Sequence, residues 1–346
     1  MMKKGILLFF GLFLFLCTTA VAQGEKSRYY CVGFYNLENL FDTIHDYKKN
    51  DYEFLPEGKY KWGTLKYANK IDNMAAVLND MGTDVSCGGM AMVGVSEVEN
   101  GRVLEDLVQH KNLAHRGWRF VHIEGPDERG IDCALLYNPR LFTPWSSKLV
   151  PYTIEEDGAK YRTRGFLVVS GEMGGEKLHV IVNHWPSRSA ESPVRERAGA
   201  IVRQLKDSLM NAMPGSKVIV MGDMNDNPDD KSMAVSLGAV REKRDVKSAA
   251  DLYNPYWNML GKKGVGTLRY NGKWLIFDQI VLSGNMLDGE QGALKFCKAG
   301  IFKRDYLMQH EGRYKGYTKR THAGGVWLKG YSDHLPVVVY LVKGSE

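Results

Sequence analysis

The stretch that decides the fold is VIVMGDMNDNP, which runs from Val218 to Pro228. Its four leading apolar residues predict a buried β-strand, and Gly222 then brings Asp223 and Asn225 into a polar turn. A carboxylate and an amide two residues apart on an extended segment can point towards one bound group. The alternative interpretation is structural, because Asp and Asn side chains also close strands with ordinary turns.

Polar side chains also flank other predicted strands. Each lies just beyond the carboxyl end of a strand or just before its start: Asn36 after Tyr30–Tyr35, Glu97 after Met90–Val95, His184 after Leu178–Val182, and Asp333 and His334 before Leu335–Val342. If the last strand runs antiparallel to the others, all of these side chains meet at one edge of the sheets. The pattern therefore predicts a single site at that edge.

The rest of the chain predicts an α/β fold. Apolar residues at helical spacing predict helices over 65–78 and 198–209, and further strands are predicted at Ile131–Tyr137, Gly165–Val169 and Ile276–Leu282. No repeat or linker divides the sequence, so we expect one domain from residue 23 to residue 346. Three long excursions, at 42–63, 143–163 and 302–331, are predicted to be loops with a function.

The first residues predict export. Lys3 and Lys4 precede an apolar run, Ile6–Leu16, which is followed by the small residues Ala20-Val21-Ala22. This is typical of a secretory signal peptide cut after Ala22, which places the mature protein in the periplasm or outside the cell. Cys17 raises the question of a lipoprotein, but the large Leu16 before it argues against lipid attachment. No segment is long enough to span a membrane.

Several of the flanking residues are hard oxygen donors. Asn36 and Glu38 lie in YNLENLFD and Glu97 lies in VSEVEN, and such groups suit Mg²⁺ or Mn²⁺, as one or two ions. Zinc is disfavoured, because the sequence has no HExxH and no CxxC. The net charge of +6 permits polyanionic partners without requiring them.

Three further motifs carry imidazole, guanidinium and carboxylate groups. VNHWPSR places His184 near Arg188, whose planar fork matches phosphate oxygens. YSDHLP places Asp333 directly before His334, and a polar turn is the structural alternative. Asp278 interrupts the apolar strand of LIFDQIVLS, and a buried acid needs a partner, for which His184 and His334 are the candidates.

Taken in order, these motifs resemble the endonuclease/exonuclease/phosphatase superfamily, the DNase I-like fold, and in particular a branch of secreted bacterial members. The resemblance covers about Tyr30 to Leu341. It implies a four-layer α/β sandwich, with two mixed β-sheets packed face to face and helices outside. One departure is Ser96, where many members have Gln.

The resemblance also implies a role for each motif residue. Metal binding is implied for Asn36, Glu38, Glu97 and Asp333. Catalytic roles are implied for Asp223, which orients or deprotonates water, Asn225, which contacts phosphate, His334, which stabilises charge on phosphorus, and the pair His184 and Asp278. Substrate contact is implied for Arg164, beside the Arg188 already singled out.

Three functions fit these motifs. A secreted nuclease that cleaves phosphodiesters by in-line water attack is favoured by the basic and aromatic segment Phe302–Gly330, although solvated basic loops are common. A phosphatase or phospholipase C-like hydrolase of inositol phosphates or lipid headgroups is the alternative, although Phe277-Asp278-Gln279 replaces the CDR triplet usual in inositol-polyphosphate 5-phosphatases. A catalytically inactive binding module is the third. We expect a monomer without a stable protein partner.

Overall fold

The computed structural model describes residues 28–86, 88–156, 159–289 and 292–344. The predicted signal peptide, residues 1–22, lies outside these ranges. Within them the chain forms the α-helices α1 (Thr64–Asp80), α2 (Gly101–Gln109) and α3 (Ser192–Ala212). None of the helices in the described ranges is long and apolar enough to cross a membrane.

Most of the fold is β-structure. The strands, in chain order, are β1 (Arg28–Leu40), β2 (Met90–Val98), β3 (Arg119–His122), β4 (Asp132–Tyr137), β5 (Phe142–Glu156), β6 (Ala159–Met173), β7 (Glu176–His184), β8 (Lys217–Asp223), β9 (Ala239–Val240), β10 (Leu252–Tyr253), β11 (Leu268–Tyr270), β12 (Lys273–Leu275), β13 (Asp278–Ser283), β14 (Leu294–Ile301), β15 (His322–Ala323), β16 (Val326–Trp327) and β17 (Val337–Lys343). Single helical turns lie at Tyr52–Phe54, Ala114–Arg116, Ser232–Leu237, Lys243–Asp245, Trp257–Met259, Gly284–Met286 and Asp305–Leu307.

Two mixed sheets form the body of the molecule. The six-stranded sheet has the order β14-β17-β1-β2-β4-β3, and the seven-stranded sheet has the order β5-β6-β7-β8-β13-β10-β9. β1 and β2 are parallel, β7 and β8 are parallel, and β17 runs antiparallel to β1. This is the arrangement that brings the polar strand ends to one edge, as the sequence predicts.

The two sheets pack against each other through a largely apolar interface. Phe34 of β1 and Met92 of β2 face Val180 of β7 and Met221 of β8 in one buried cluster. At Gly94 a Cβ atom would lie 2.5 Å from the Met221 Sδ, so the missing side chain lets β2 approach β8. Close approach of the strands here draws the two site edges together.

Helices cover the outer faces of both sheets. Met74 and Leu78 of α1 and Leu104 of α2 pack on the six-stranded sheet. Ala198 and Val202 of α3 pack on the seven-stranded sheet. The layers are therefore helix, sheet, sheet and helix, and the predicted four-layer α/β sandwich is confirmed.

Three details differ from the sequence predictions. Asn36 and Glu97 lie within β1 and β2, next to register shifts in the pairing of these strands, and not beyond the strand ends. The predicted loop 143–163 is instead most of a long hairpin, because β5 and β6 pair from Phe142↔Met173 to Glu156↔Ala159. Its mixed polar and apolar residues reflect strands with one solvated face. Asp278 does not interrupt a strand, since it is the first residue of β13. Its carboxylate therefore lies at the sheet edge with the other site residues.

Candidate active site

Asn36 joins the two sheets at the site edge. Its Nδ2 donates to Glu97 Oε1 of the same sheet at 3.2 Å and to Asp223 Oδ2 of the opposite sheet at 3.0 Å. Its Oδ1 accepts from the Glu38 backbone N–H at 2.9 Å. The side chain is fully buried, so these bonds form away from water. Asn36 therefore fixes where the two predicted carboxylates lie relative to each other.

Asp223 lies between two imidazoles. Its Oδ2 is 3.7 Å from the Nε2 of His184 and 3.7 Å from the Nε2 of His334. Its Oδ1 accepts the Asn225 backbone N–H at 2.9 Å, which fixes the carboxylate plane. The register of the seven-stranded sheet explains the geometry, since Asp223 pairs directly with His184 on one side and with Asp278 on the other.

Asp278 is bonded to His334. The His334 Nδ1 lies 2.7 Å from the Asp278 Oδ2, and both side chains are buried. The resemblance paired Asp278 with His184, and that pairing is wrong in this chain, because the carboxylate points across to the segment before β17. The His184 Nδ1 is buried without a hydrogen-bond partner among the described residues.

The two imidazoles have opposite protonation preferences. Burial lowers the pKa of His184 well below its usual value, so this ring is neutral at pH 7. Burial also acts against a charged His334, but the carboxylates of Asp278 and Asp223 outweigh it and raise the pKa of His334 well above its usual value. Burial raises the pKa of Asp223 to about 7. The site therefore holds one cationic ring, one neutral ring and one carboxyl that titrates near neutrality.

Glu97 presents its carboxylate at the mouth of the site. Its Oε2 accepts the Asn39 backbone N–H at 2.9 Å, and its Oε1 lies 3.9 Å from the His184 Nε2. Glu97, Glu38, Asn39 and Asn225 all have left-handed backbone conformations, with φ between 48° and 60°. Residues other than glycine adopt this conformation at a cost of about 1–3 kcal/mol, and such strain is concentrated at functional sites.

Glu38 and Asp333 are bound by one arginine. The Arg320 Nε donates to Glu38 Oε1 at 3.0 Å, and its second terminal nitrogen donates to Asp333 Oδ2 at 2.9 Å. Buried Lys70 lies beneath them and donates to Thr321 Oγ1 at 2.7 Å. Burial and the Asp333 charge raise the pKa of Glu38 to about 7, whereas the Arg320 charge overcomes burial and lowers the pKa of Asp333.

The remaining predicted residues line the rim of the site. Arg164 donates to the Asp127 carboxylate at 3.2 Å and to the Trp185 carbonyl at 3.1 Å. The Asn225 Nδ2 donates to the same carbonyl at 2.9 Å. Arg188 is exposed and lies over the Phe277 ring. The structure thus brings all the predicted residues to one edge, with Arg164, Asn225 and Arg188 held by neighbouring groups.

Sequence reasoning missed the cationic groups behind the site. Lys70 lies in the middle of α1 and has no polar neighbours in sequence that distinguish it from a surface lysine. Arg320 was recognised only as one basic residue among several in Phe302–Gly330. Arg304 of the same segment is also paired with a carboxylate, since it donates to Asp84 at 2.6 Å. Part of the positive charge of this segment is therefore neutralised by carboxylates of the chain itself.

A cleft opens directly beside Asp333. It has a volume of about 570 Å³ and is lined by the arginines Arg269, Arg313 and Arg320 and the tyrosines Tyr270, Tyr314 and Tyr317. β11 forms part of its wall and is tied to the site by a bridge between Leu268 and His334. Guanidinium groups and phenol rings therefore surround a space that Asp333 borders.

Two donor groups could hold a divalent cation. The ligand atoms of Asp223, Asp278 and His334 all lie within 4.8 Å of one another. However, His334 is already bonded to Asp278 and faces Asp223, which suits proton transfer. The Glu97 carboxylate accepts hydrogen bonds only from neutral amide donors in the described part of the chain, among them the Asn36 Nδ2, so its charge is open to a cation. These hard oxygens fit a divalent cation.

Comparisons with known proteins agree with this geometry. The chain matches the model of the Endonuclease/Exonuclease/phosphatase family over residues 31–343. No curated protein sequence matches it.

Solved structures share the fold at low sequence identity. An endonuclease/exonuclease/phosphatase family protein from Bacteroides thetaiotaomicron is 14% identical, with a TM-score of 0.55 over 93% of this chain and 100% of that one. A mannosyl-6-phosphatase from the same organism is 14% identical, with a TM-score of 0.54 over 90% and 99%. TDP2 from D. rerio, in complex with a single-strand DNA product, is 13% identical, with a TM-score of 0.53 over 90% and 98%. With the family match over nearly its whole length, the chain belongs to the endonuclease/exonuclease/phosphatase family of phosphoester hydrolases.

Proposed function

We propose that this chain is a Mg²⁺- or Mn²⁺-dependent nuclease that hydrolyses phosphodiesters in single-stranded nucleic acid. The observation that carries the proposal is the cleft beside Asp333, because it combines Arg313, which has no hydrogen bond or ion pair within the described part of the chain, with the exposed phenol rings of Tyr270 and Tyr314. Arginines bind phosphates, and aromatic rings stack on unpaired bases irrespective of sequence. The cleft volume also lies within the range of small-ligand sites, which suits one or two nucleotides at a time. The structural relative TDP2 was solved with a single-strand DNA product, which supports this substrate.

In the proposal, Asp223 accepts the proton from the attacking water. A carboxyl with a pKa near 7 in the folded protein is matched to accept a proton from water at neutral pH. Its Oδ2 lies 3.7 Å from the Nε2 atoms of both imidazoles, so the carboxylate and the two rings converge on one point of the site. In our proposal Asp223 orients that water for in-line attack on phosphorus, and the Asn36 amide keeps the carboxylate in place.

In the proposal, His334 stabilises the negative charge that develops on the phosphoryl oxygens. Its ring is cationic and buried, and the Asp278 carboxylate holds it in one orientation. Preformed positive charge in a site shielded from water stabilises a transition state without reorganisation. His184 differs, since its neutral ring can donate or accept one hydrogen bond to the substrate without adding charge.

Glu97, with Asn36 and Asp333 Oδ1, would hold the divalent ion. Bound there, Mg²⁺ supplies Lewis-acid polarisation of a phosphoryl oxygen. Arg188 is part-exposed, and its guanidinium is bonded to Asp230 and to the Asn225 carbonyl, so it would contact a phosphate only by giving up one of these partners, while Asn225 and Arg164 shape the rim. We also propose that the protein is exported by the signal peptide at residues 1–22 and acts outside the cytoplasm as one of the secreted members of the family.

The proposal is tested by a substrate screen of the mature chain with Mg²⁺. The substrates are single-stranded DNA, duplex DNA, RNA, an inositol phosphate, sphingomyelin and mannose 6-phosphate. We expect single-stranded nucleic acid to be cleaved fastest. Tyr314→Ala should raise KM for it by about 5- to 150-fold, since stacking contributes about 1–3 kcal/mol per base.

Tyr29→Ala is the matched control. Tyr29 is 41% exposed, as Tyr314 is 44% exposed, but it lies at the other end of β1 from Asn36. Its KM should be unchanged. If the sugar phosphate, the inositol phosphate or sphingomyelin is hydrolysed fastest, the chain is a phosphatase or a phospholipase C-like hydrolase and not a nuclease. No hydrolysis of any substrate would favour the binding module.

A further inference from the structure

Two of the four residues predicted to bind metal are already occupied by cationic and amide donors. Both oxygens of Glu38 are used, since Oε1 accepts from Arg320 Nε at 3.0 Å and Oε2 accepts from the Thr321 backbone N–H at 2.7 Å. Asp333 gives its Oδ2 to the same guanidinium at 2.9 Å. One arginine therefore bridges two carboxylates, as a metal ion shared between them would.

Lys70 and Thr321 hold the Arg320 bridge between Glu38 and Asp333 in place. Lys70 is 1% exposed, and its Nζ donates to the Thr321 side chain and to the Tyr331 carbonyl. Thr321 in turn donates its backbone N–H to Glu38. Two carboxylates are thus matched by two cationic side chains of the chain itself. A second divalent ion at this position would meet no net negative charge and would have to displace the guanidinium.

Glu97 has a different environment. Its oxygens accept from the Asn36 amide and the Asn39 backbone N–H, both of which are neutral donors. The nearest imidazole nitrogen, His184 Nε2, lies 3.9 Å away, beyond hydrogen-bond distance. No lysine or arginine lies within ion-pair distance of Glu97 in the described ranges of the chain, although the charges of Arg320 and Lys70 act on it over a longer distance. Its negative charge is therefore left for an added cation.

We propose that Arg320 stands in place of a second metal ion, so that the site takes up one divalent ion, on the Glu97 side. The proposal rests on the proposed function only for the presence of a metal. It assigns Arg320 as a positioning residue that holds Glu38 and Asp333, and it assigns Glu38 a structural role. The Asp333 Oδ1 remains available to the single ion, because Arg320 uses only Oδ2.

The test is the number of Mn²⁺ ions bound per chain, measured by calorimetry and by electron paramagnetic resonance on the metal-free mature protein. We expect one ion for the wild type. Glu38→Gln should keep one ion with a Kd within about threefold, a change of under about 0.7 kcal/mol. Glu97→Gln should weaken binding by about tenfold or more, which is about 1.4 kcal/mol.

Arg320→Ala is the decisive variant, and we expect it to bind a second Mn²⁺ ion. Arg313→Ala removes an arginine from the same cleft wall and should still bind one. Because Arg320→Ala removes a buried network, its circular dichroism is recorded first, and Arg320→Gln replaces it if it fails to fold. Two ions in the wild type, or a Glu38→Gln variant as weak as Glu97→Gln, would overturn the proposal. One ion without any hydrolysis would instead overturn the proposed function and leave this inference standing.

Discussion

The bond between His334 and Asp278 gives the sharpest prediction for activity. At 2.7 Å and an effective dielectric constant of about 20, opposite unit charges attract by about 6 kcal/mol. Desolvation of two buried groups offsets part of this, and an adjacent opposite charge typically shifts a pKa by about 1–3 units. Asp278→Asn should therefore lower the pKa of His334 by about that amount, which corresponds to about 1.4–4 kcal/mol.

If the cationic ring stabilises the transition state, the same loss should appear in kcat. We expect Asp278→Asn to lower kcat by about 10- to 1000-fold with little change in KM. The assays are hydrolysis of bis(4-nitrophenyl) phosphate and of single-stranded DNA at saturating Mg²⁺, together with ¹⁵N NMR of the His334 ring.

The chain contains a matched control for this experiment. His122 and Asp132 form a second buried pair, with 3.0 Å between Nε2 and Oδ2, outside the catalytic group. Asp132→Asn should lower the free energy of unfolding without lowering kcat beyond about threefold, or about 0.7 kcal/mol. A wild-type rate in Asp278→Asn, with a lowered His334 pKa, would refute the role given to the charged ring.

Three further outcomes follow from the site and its surroundings. EDTA should abolish hydrolysis and Mg²⁺ or Mn²⁺ should restore it, whereas full activity in excess EDTA would exclude a metal-dependent reaction. Asp223→Asn should lower kcat by about 10²–10⁴-fold and remove the acidic limb of the pH–rate profile, because the amide cannot accept the proton; an unchanged profile would place the base elsewhere. Burial lowers the pKa of His322 to about 4, so the folded state resists its protonation and stability falls as the pH drops from 6.5 towards 4. His322→Phe should retain the ring contact with Trp62 and flatten that fall in chemical denaturation, and an equally steep fall in the variant would contradict the assignment.

The fold could be predicted from the sequence largely because the strands with two buried faces are short and apolar. The buried runs of β2, β7 and β8 are such strands, and a polar site residue lies at or near the carboxyl end of each, namely Glu97, His184 and Asp223. The hairpin of β5 and β6 was missed, because its strands carry charged residues and Pro144 and Pro151, which are typical of loops. These two strands form because they pair with each other, and no local sequence pattern indicates that pairing.

The site could be predicted as a set of residues but not as a set of contacts. The sequence indicates Asp223 and His334 from their positions at strand ends and Asp278 as an acid within an apolar run, and the three do meet. Which imidazole bonds to Asp278 depends on how far the segment before β17 reaches across the sheets, a distance that no local pattern contains. The role of Arg320 was also hidden, since its partners Glu38 and Asp333 lie in other segments, 282 and 13 residues away in sequence.

The left-handed backbone at Glu38, Glu97 and Asn225 limits how far the thermostability of this protein can be raised without loss of activity. Glycine at any of these positions would relieve roughly 1 kcal/mol or more of strain while removing a side chain of the active site. Laboratory evolution for heat resistance alone would thus select against the catalytic centre. Asn39 is the exception, because it reaches Glu97 through its backbone N–H, so Asn39→Gly offers added thermostability with the carboxylate contact retained.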